Sequence, residues 1–188
     1  MDGIAHYIED LGLQLEDLVT ICLAKLLGWG RVTDKIHRSQ FLSVWFLQGC
    51  SHIAEMKLVL DDLRDKLRHD EDYFSEVYKF TFTFNLDPTS SRRTLDADMA
   101  VEYWKLFFLN SNESYAISVE HALVSMWFEF LETSKKQEIY RDCWDMLLRF
   151  FIKFPNLKTI ASEYDETDVW PYIIDEFYEY LQDTGIIP

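Results

Sequence analysis

The chain has 188 residues, 48% of them apolar, with only 6 Gly and 4 Pro. That is enough to pack a core, and it excludes both a disordered chain and a loop-dense β-sandwich or barrel. Thirty-three acids against 18 bases leave a formal charge of −15, which repels nucleic acid and anionic membranes and favours basic proteins or peptides as partners.

The apolar residues recur with helical period almost throughout. Ile4, Tyr7, Ile8 and Leu11 form one face of a short helix that Gly12 can end. Leu15, Leu18, Val19, Cys22, Leu23, Leu26 and Leu27 form a second, so apolar that it belongs at the centre of a core, and Gly28 is placed to stop it. Ser39 is a candidate cap for a third helix through Trp45 to Gly49. Ser51 is one for a fourth, with Glu55 near its start and Met56, Leu60, Leu63 and Leu67 inward. Phe80 to Phe84 alternates like a strand, yet Phe74, Val77, Thr81 and Phe84 make a helical stripe. Helix is preferred, because a lone strand would leave its backbone groups unpaired. Pro88 to Arg93 is the clearest loop. Asp96 then caps a helix through Trp104 and Phe107, and Asn110 to Ser114 is a second polar loop. Further helices carry Ala122 to Leu131, Asp142 to Phe151, and a last one opened by Pro171. The expectation is one all-α domain over residues 1–188, of about eight to ten helices.

Three cysteines, an odd number with no CxxC spacing, indicate neither a disulfide framework nor a zinc site and fit a reducing compartment. The N-terminus carries acids where a secretory signal needs bases. The most apolar run, Leu18 to Trp29, is about twelve residues and holds Lys25, short of the roughly twenty that a bilayer requires. A soluble protein of the cytoplasm and nucleus is expected, with no nucleic-acid or membrane partner.

Phosphate-loop, dinucleotide, nucleophile-elbow and zincin motifs are absent. Cys50-Ser51-His52 is the one thiol beside a histidine, and reads first as a turn and cap, second as an activated nucleophile. Cys22 reads as a small core residue, and Cys143 follows Asp142 near a helix start. Calcium-loop spacing from Asp165 reaches Glu176 at the twelfth position but puts Trp170 where Gly is needed. From Asn110 the corresponding residues are Tyr115 and His121. No metal is expected at either. From Thr159 onward there is no Lys or Arg, against eight acids: Glu163, Asp165, Glu166, Asp168, Asp175, Glu176, Glu179 and Asp183. Asp175 and Glu179 share a helix face and repel by a few tenths of a kcal/mol, so this surface is either a solvated face or one that meets cations.

Asp142-Cys143-Trp144-Asp145-Met146-Leu147-Leu148, Tyr164-Asp165-Glu166, Trp170-Pro171 and Ile174-Asp175-Glu176-Phe177 are the most specific series. Asp2-Gly3-Ile4, Phe80-Thr81-Phe82 and Leu95-Asp96 to Tyr103-Trp104 precede them in order. Together they resemble the potentiating-neddylation (PONY) domain of the defective-in-cullin-neddylation proteins, and a fungal member in particular. The resemblance implies an all-α domain of EF-hand-like helix–loop–helix pairs without bound metal or cofactor. It implies a monomeric, non-catalytic ligase-type scaffold for cullin neddylation. An N-terminal helix and a ubiquitin-binding-type domain would lie outside this chain.

By the same resemblance, an acidic patch at Asp142, Val169 and Asp175 receives the basic winged-helix end of a cullin, with Val169 where the family has Ala. An apolar pocket of Ile4, Leu23, Ala24, Leu27, Ile36, Phe84, Tyr103 and Leu106 receives the acetylated N-terminal Met of the conjugating enzyme. The alternatives are an EF-hand-like adaptor for other basic proteins or helical peptides, with no role in modifier transfer, and an enzyme using Cys50 with His52.

Overall fold

The structure, a computed structural model, describes residues 2–14, 17–89, 91–110, 113–165 and 167–188. Leu15 and Glu166 lie outside the described residues. Two compact units, Met1–Pro88 and Thr89–Pro188, divide inside the Pro88–Arg93 loop.

The first unit is built from α1 (Asp2–Asp10), α2 (Leu18–Leu26), α3 (Arg38–Leu47), α4 (Ile53–His69) and α5 (Glu71–Phe84). Every residue from Leu18 to Ala24 is buried, so α2 has the central position its composition demands, packed by α4 and α5. Gly28 ends α2 at φ 64° and Gly49 follows α3 at φ 71°, conformations that cost glycine little. The Phe80–Phe84 segment is helix, and Phe74, Val77, Thr81 and Phe84 are its buried stripe.

Cap positions depart from the sequence reading by one or two residues. Ser39 lies inside α3, whose cap is His37 with no side-chain hydrogen bond. His52 rather than Ser51 caps α4. Glu55 nonetheless reaches back, its Oε2 accepting from the Ser51 backbone N–H at 2.6 Å and hydroxyl at 3.1 Å.

The second unit runs β1 (Thr94–Asp96), α6 (Ala97–Phe108), α7 (His121–Thr133), β2 (Glu138–Tyr140), α8 (Arg141–Lys153), α9 (Leu157–Glu163) and α10 (Tyr172–Asp183). The fold is predominantly α-helical, but the short strands were not expected from the sequence. They pair antiparallel, with Leu95 opposite Ile139 and both side chains buried. This pairing ties the loop entering α6 to the loop between α7 and α8. The core is aromatic: Trp104 stacks on Trp144 at 5.2 Å, and Trp127 meets Phe177 edge-on at 5.1 Å. Offset and edge-to-face contacts of this kind add about 0.5–1.5 kcal/mol each beyond burial. The two short turns of α9 also escaped the sequence reading; Asn156 caps the helix by accepting from Thr159 N–H at 2.9 Å. Pro171 is the cap of α10 rather than its first helical residue.

Candidate protein-docking site

Two helix starts of the second unit carry the acidic residues singled out by sequence. Asp142 is exposed in the first turn of α8, and Asp175 is half-buried in the first turn of α10. Carboxylates there are stabilised by the positive helix end. Phe150 of α8 and Phe177 of α10 pack with ring centroids 6.2 Å apart, so both helix starts are fixed by one core. Val169 lies in the loop before α10 and is 92% exposed. Its neighbour Trp170 anchors that loop, edge-on to Phe150 at 5.6 Å. Val169 therefore contributes nothing to the core and is available to a partner.

Several of the other acids are engaged. Glu176 Oε2 pairs with Lys136 Nζ at 2.7 Å, Asp168 with Lys153 at 2.5 Å, and Asp145 with Arg141 at 2.8 Å. Hydrogen bonds from the Thr167 hydroxyl and backbone N–H hold the Asp165 carboxyl below its ordinary pKa. This corrects the sequence reading of a segment without compensating bases: Lys136 and Lys153 reach it from outside. Among the described residues Asp142 and Asp175 have no ion pair, as is also true of Glu163, Glu179 and Asp183. Asp175 instead accepts a 2.6 Å hydrogen bond at Oδ1 from the Tyr164 hydroxyl. Tyr164 is in turn stacked on Tyr178, 4.0 Å between centroids and 16° from parallel. Sequence reasoning quoted Tyr164 only as part of a motif and assigned it no role; an 11-residue separation gives no local signal of that bond.

In the first unit, Ile4, Leu23, Ala24, Leu27 and Ile36 are brought together around one cleft. Tyr7, Ile8, Thr20 and Trp29, which sequence reading did not assign to the pocket, complete the wall. Phe84 adjoins it through Trp29, edge-on at 5.2 Å. The cleft holds about 10 Å³, room for roughly one water molecule, and Leu23, Ala24 and Leu27 are fully buried. A methionine side chain enters only if these walls part. Tyr103 and Leu106 belong to α6 of the second unit, where both are half-buried.

No thiol is set up as a nucleophile. Burial pushes Cys22 and Cys143 up to about 12. Cys50 is also raised, first by desolvation and then by the Glu55 carboxylate, while His52 Nε2 faces Glu55 at 3.4 Å. Among the described residues, no group of three or more His, Cys, Asp or Glu is arranged to hold a metal ion, and no helix is long and apolar enough to cross a membrane.

Residues 55–180 match the model of a family described as cullin binding. The chain is 45% identical to Defective in cullin neddylation protein 1 of Saccharomyces cerevisiae over 97% of its own length and 66% of the relative. It is 43% identical to the protein of the same name from Candida glabrata, over 99% and 68% respectively. With DCN1-like protein 3 of Drosophila melanogaster it shares 28% identity over 99% of this chain and 51% of the relative. The chain thus spans about two thirds of the yeast proteins and half of the insect one. A family match over more than half the chain and identities above 40% leave one conclusion: the chain belongs to the cullin-binding (PONY) family, on its fungal branch of defective-in-cullin-neddylation proteins.

Proposed function

We propose that this chain promotes neddylation of cullins as a non-catalytic scaffold. The observation that carries the reading is the cullin-binding match over residues 55–180, a stretch that contains Asp142, Val169 and Asp175. The relatives' name, defective in cullin neddylation, points to the process. Asp142 and Asp175, without an ion pair among the described residues, suit Lys or Arg on the basic winged-helix end of a cullin, through charge-assisted hydrogen bonds. Val169 supplies an apolar contact between them.

The second ligand in this proposal is the acetylated N-terminal Met of the conjugating enzyme, seated in the α1–α2 cleft among Ile4, Leu23, Ala24, Leu27, Ile36 and Phe84. Those residues offer apolar walls and no charged group. Acetylation matters because an ammonium group buried there would cost several kcal/mol without a partner.

Binding both partners on one chain makes the encounter of thioester and cullin lysine effectively intramolecular, raising their mutual concentration and restricting orientation. No covalent intermediate on this protein is required, in keeping with its unactivated thiols. The proposed place of action is the cytoplasm and nucleus. Sedimentation of the chain with a cullin C-terminal fragment and an acetylated conjugating-enzyme peptide tests the arrangement. A ternary species is expected, and mutually exclusive binding of the two ligands would exclude it.

A further inference from the structure

Asp175 has an exposed aromatic beside it to which the docking scheme gives no role. Tyr172 opens α10 and is 76% exposed, and Val169 in the loop before it is 92% exposed. Among the described residues these are the two most exposed large apolar side chains of the second unit. Tyr172 and Asp175 are three apart in the first turn of the helix, so their side chains are neighbours on its surface. Among the described residues the Tyr172 hydroxyl has no hydrogen bond, and its ring has no aromatic or cationic neighbour. A tyrosine so placed adds little to the core, whereas tyrosine is enriched at the hot spots of protein interfaces.

The same unit shows how a carboxylate and a nearby ring share a cation. Lys153 Nζ pairs with the Asp168 carboxylate at 2.5 Å while standing 5.8 Å from the centroid of the Trp170 ring. One ammonium group is thus attracted by a charge and by a π face. At Asp175 and Tyr172, no cation of the chain takes that position among the described residues. The Tyr164 hydroxyl donates to Asp175 Oδ1, which leaves Oδ2 the freer oxygen for a donor from outside.

We infer that Tyr172 is a further cullin-contacting residue, its ring and the Asp175 carboxylate together holding one lysine or arginine side chain of the cullin. The inference rests on the cullin-docking reading of Asp142 and Asp175, and adds the neutral side chain that shares their cation. Attraction by a ring face needs the π system and not the hydroxyl, so phenylalanine should replace Tyr172 where leucine cannot.

Calorimetry of the intact chain with a cullin C-terminal fragment tests this. Tyr172→Phe should bind within about twofold of wild type, and Tyr172→Leu about fourfold more weakly, both with unchanged circular dichroism because the side chain is exposed. Combined with Asp175→Asn, Tyr172→Leu should cost less than it does alone, since one cation serves both groups. Wild-type affinity for Tyr172→Leu overturns the inference, as do additive losses in the double variant. A Phe variant as weak as the Leu variant also overturns it, because the hydroxyl would then make the contact. Wild-type affinity for Asp142→Ala with Asp175→Ala removes the docking reading and this inference with it, whereas lost binding there with Tyr172→Leu unchanged removes this inference alone.

Discussion

The hydroxyl of Tyr164 donates a 2.6 Å hydrogen bond to the Asp175 carboxylate, and the stacked Tyr178 ring holds the donor in place. One carboxylate oxygen is thereby fixed. Tyr164→Phe keeps the stack and removes the bond, so the fold should survive with a loss of about 1 kcal/mol. Binding of a cullin C-terminal fragment, read by calorimetry, should weaken roughly threefold, against tenfold or more for Asp175→Asn. Equal losses for the two variants would mean that Tyr164 acts on the fold rather than on the carboxylate.

Asp142 and Asp175 carry the ionic part of cullin recognition in this scheme. Asp142→Ala with Asp175→Ala should abolish measurable binding while leaving the thermal midpoint within a few degrees, since among the described residues neither group has an ion pair and only the Tyr164 hydrogen bond is lost. Added salt should weaken the wild-type complex as the screening length shortens to about 8 Å near physiological ionic strength. A salt-independent affinity would point to an apolar interface instead.

The cleft of α1 and α2 dictates which variant tests it. Leu27→Arg is the obvious choice from sequence, but Leu27 is 1% exposed. A buried cation there costs several kcal/mol, a large part of a typical domain's stability, so lost binding would report unfolding. Ile36 is half-buried at the cleft wall. Ile36→Glu should keep the helical signal and reduce affinity for an acetyl-Met peptide at least tenfold. Unchanged affinity in the folded variant would remove the cleft from the scheme.

Alkaline stability follows from the buried thiols. Cys22 and Cys143 are raised from 9.0 to about 12, so the native state keeps its protons where the unfolded state releases them. Stability is thus fully present below pH 9 and falls as pH rises from about 9 toward 12. Burial raises the Tyr7 and Tyr73 hydroxyls in the same direction. Thermal midpoints measured across that range should decline. A thiol reagent at pH 8 should label Cys50, which is partly exposed, while Cys22 and Cys143 react only on unfolding. Fast labelling of all three in the folded chain would contradict this packing.

Helix content was legible because the apolar stripes are long: α2 and α5 bury the residues that their periodicity selects. The three-residue strands and α9 were not, since elements that short carry no period and depend on partners distant in sequence, Leu95 on Ile139 for example. The same limit applies to charge. Counting along the C-terminal segment finds no base, yet Lys153 and Lys136 fold onto Asp168 and Glu176. Which acids lack an ion pair among the described residues, Asp142 and Asp175 among them, could be recognised only once those long-range pairs were in place. For the cleft, periodicity reads Leu23 and Leu27 as plain core, and their burial agrees. A binding role for them came from the family resemblance alone.

Single-turnover discharge of the neddylation modifier from its charged, N-terminally acetylated conjugating enzyme to a cullin fragment is the most direct measurement. Adding the chain should accelerate transfer to the cullin lysine, and the acceleration should vanish with Asp142→Ala plus Asp175→Ala or with an unacetylated enzyme, but persist with Cys50→Ser. Transfer at the same rate with and without the chain, or acceleration that depends on Cys50, would contradict a non-catalytic scaffold.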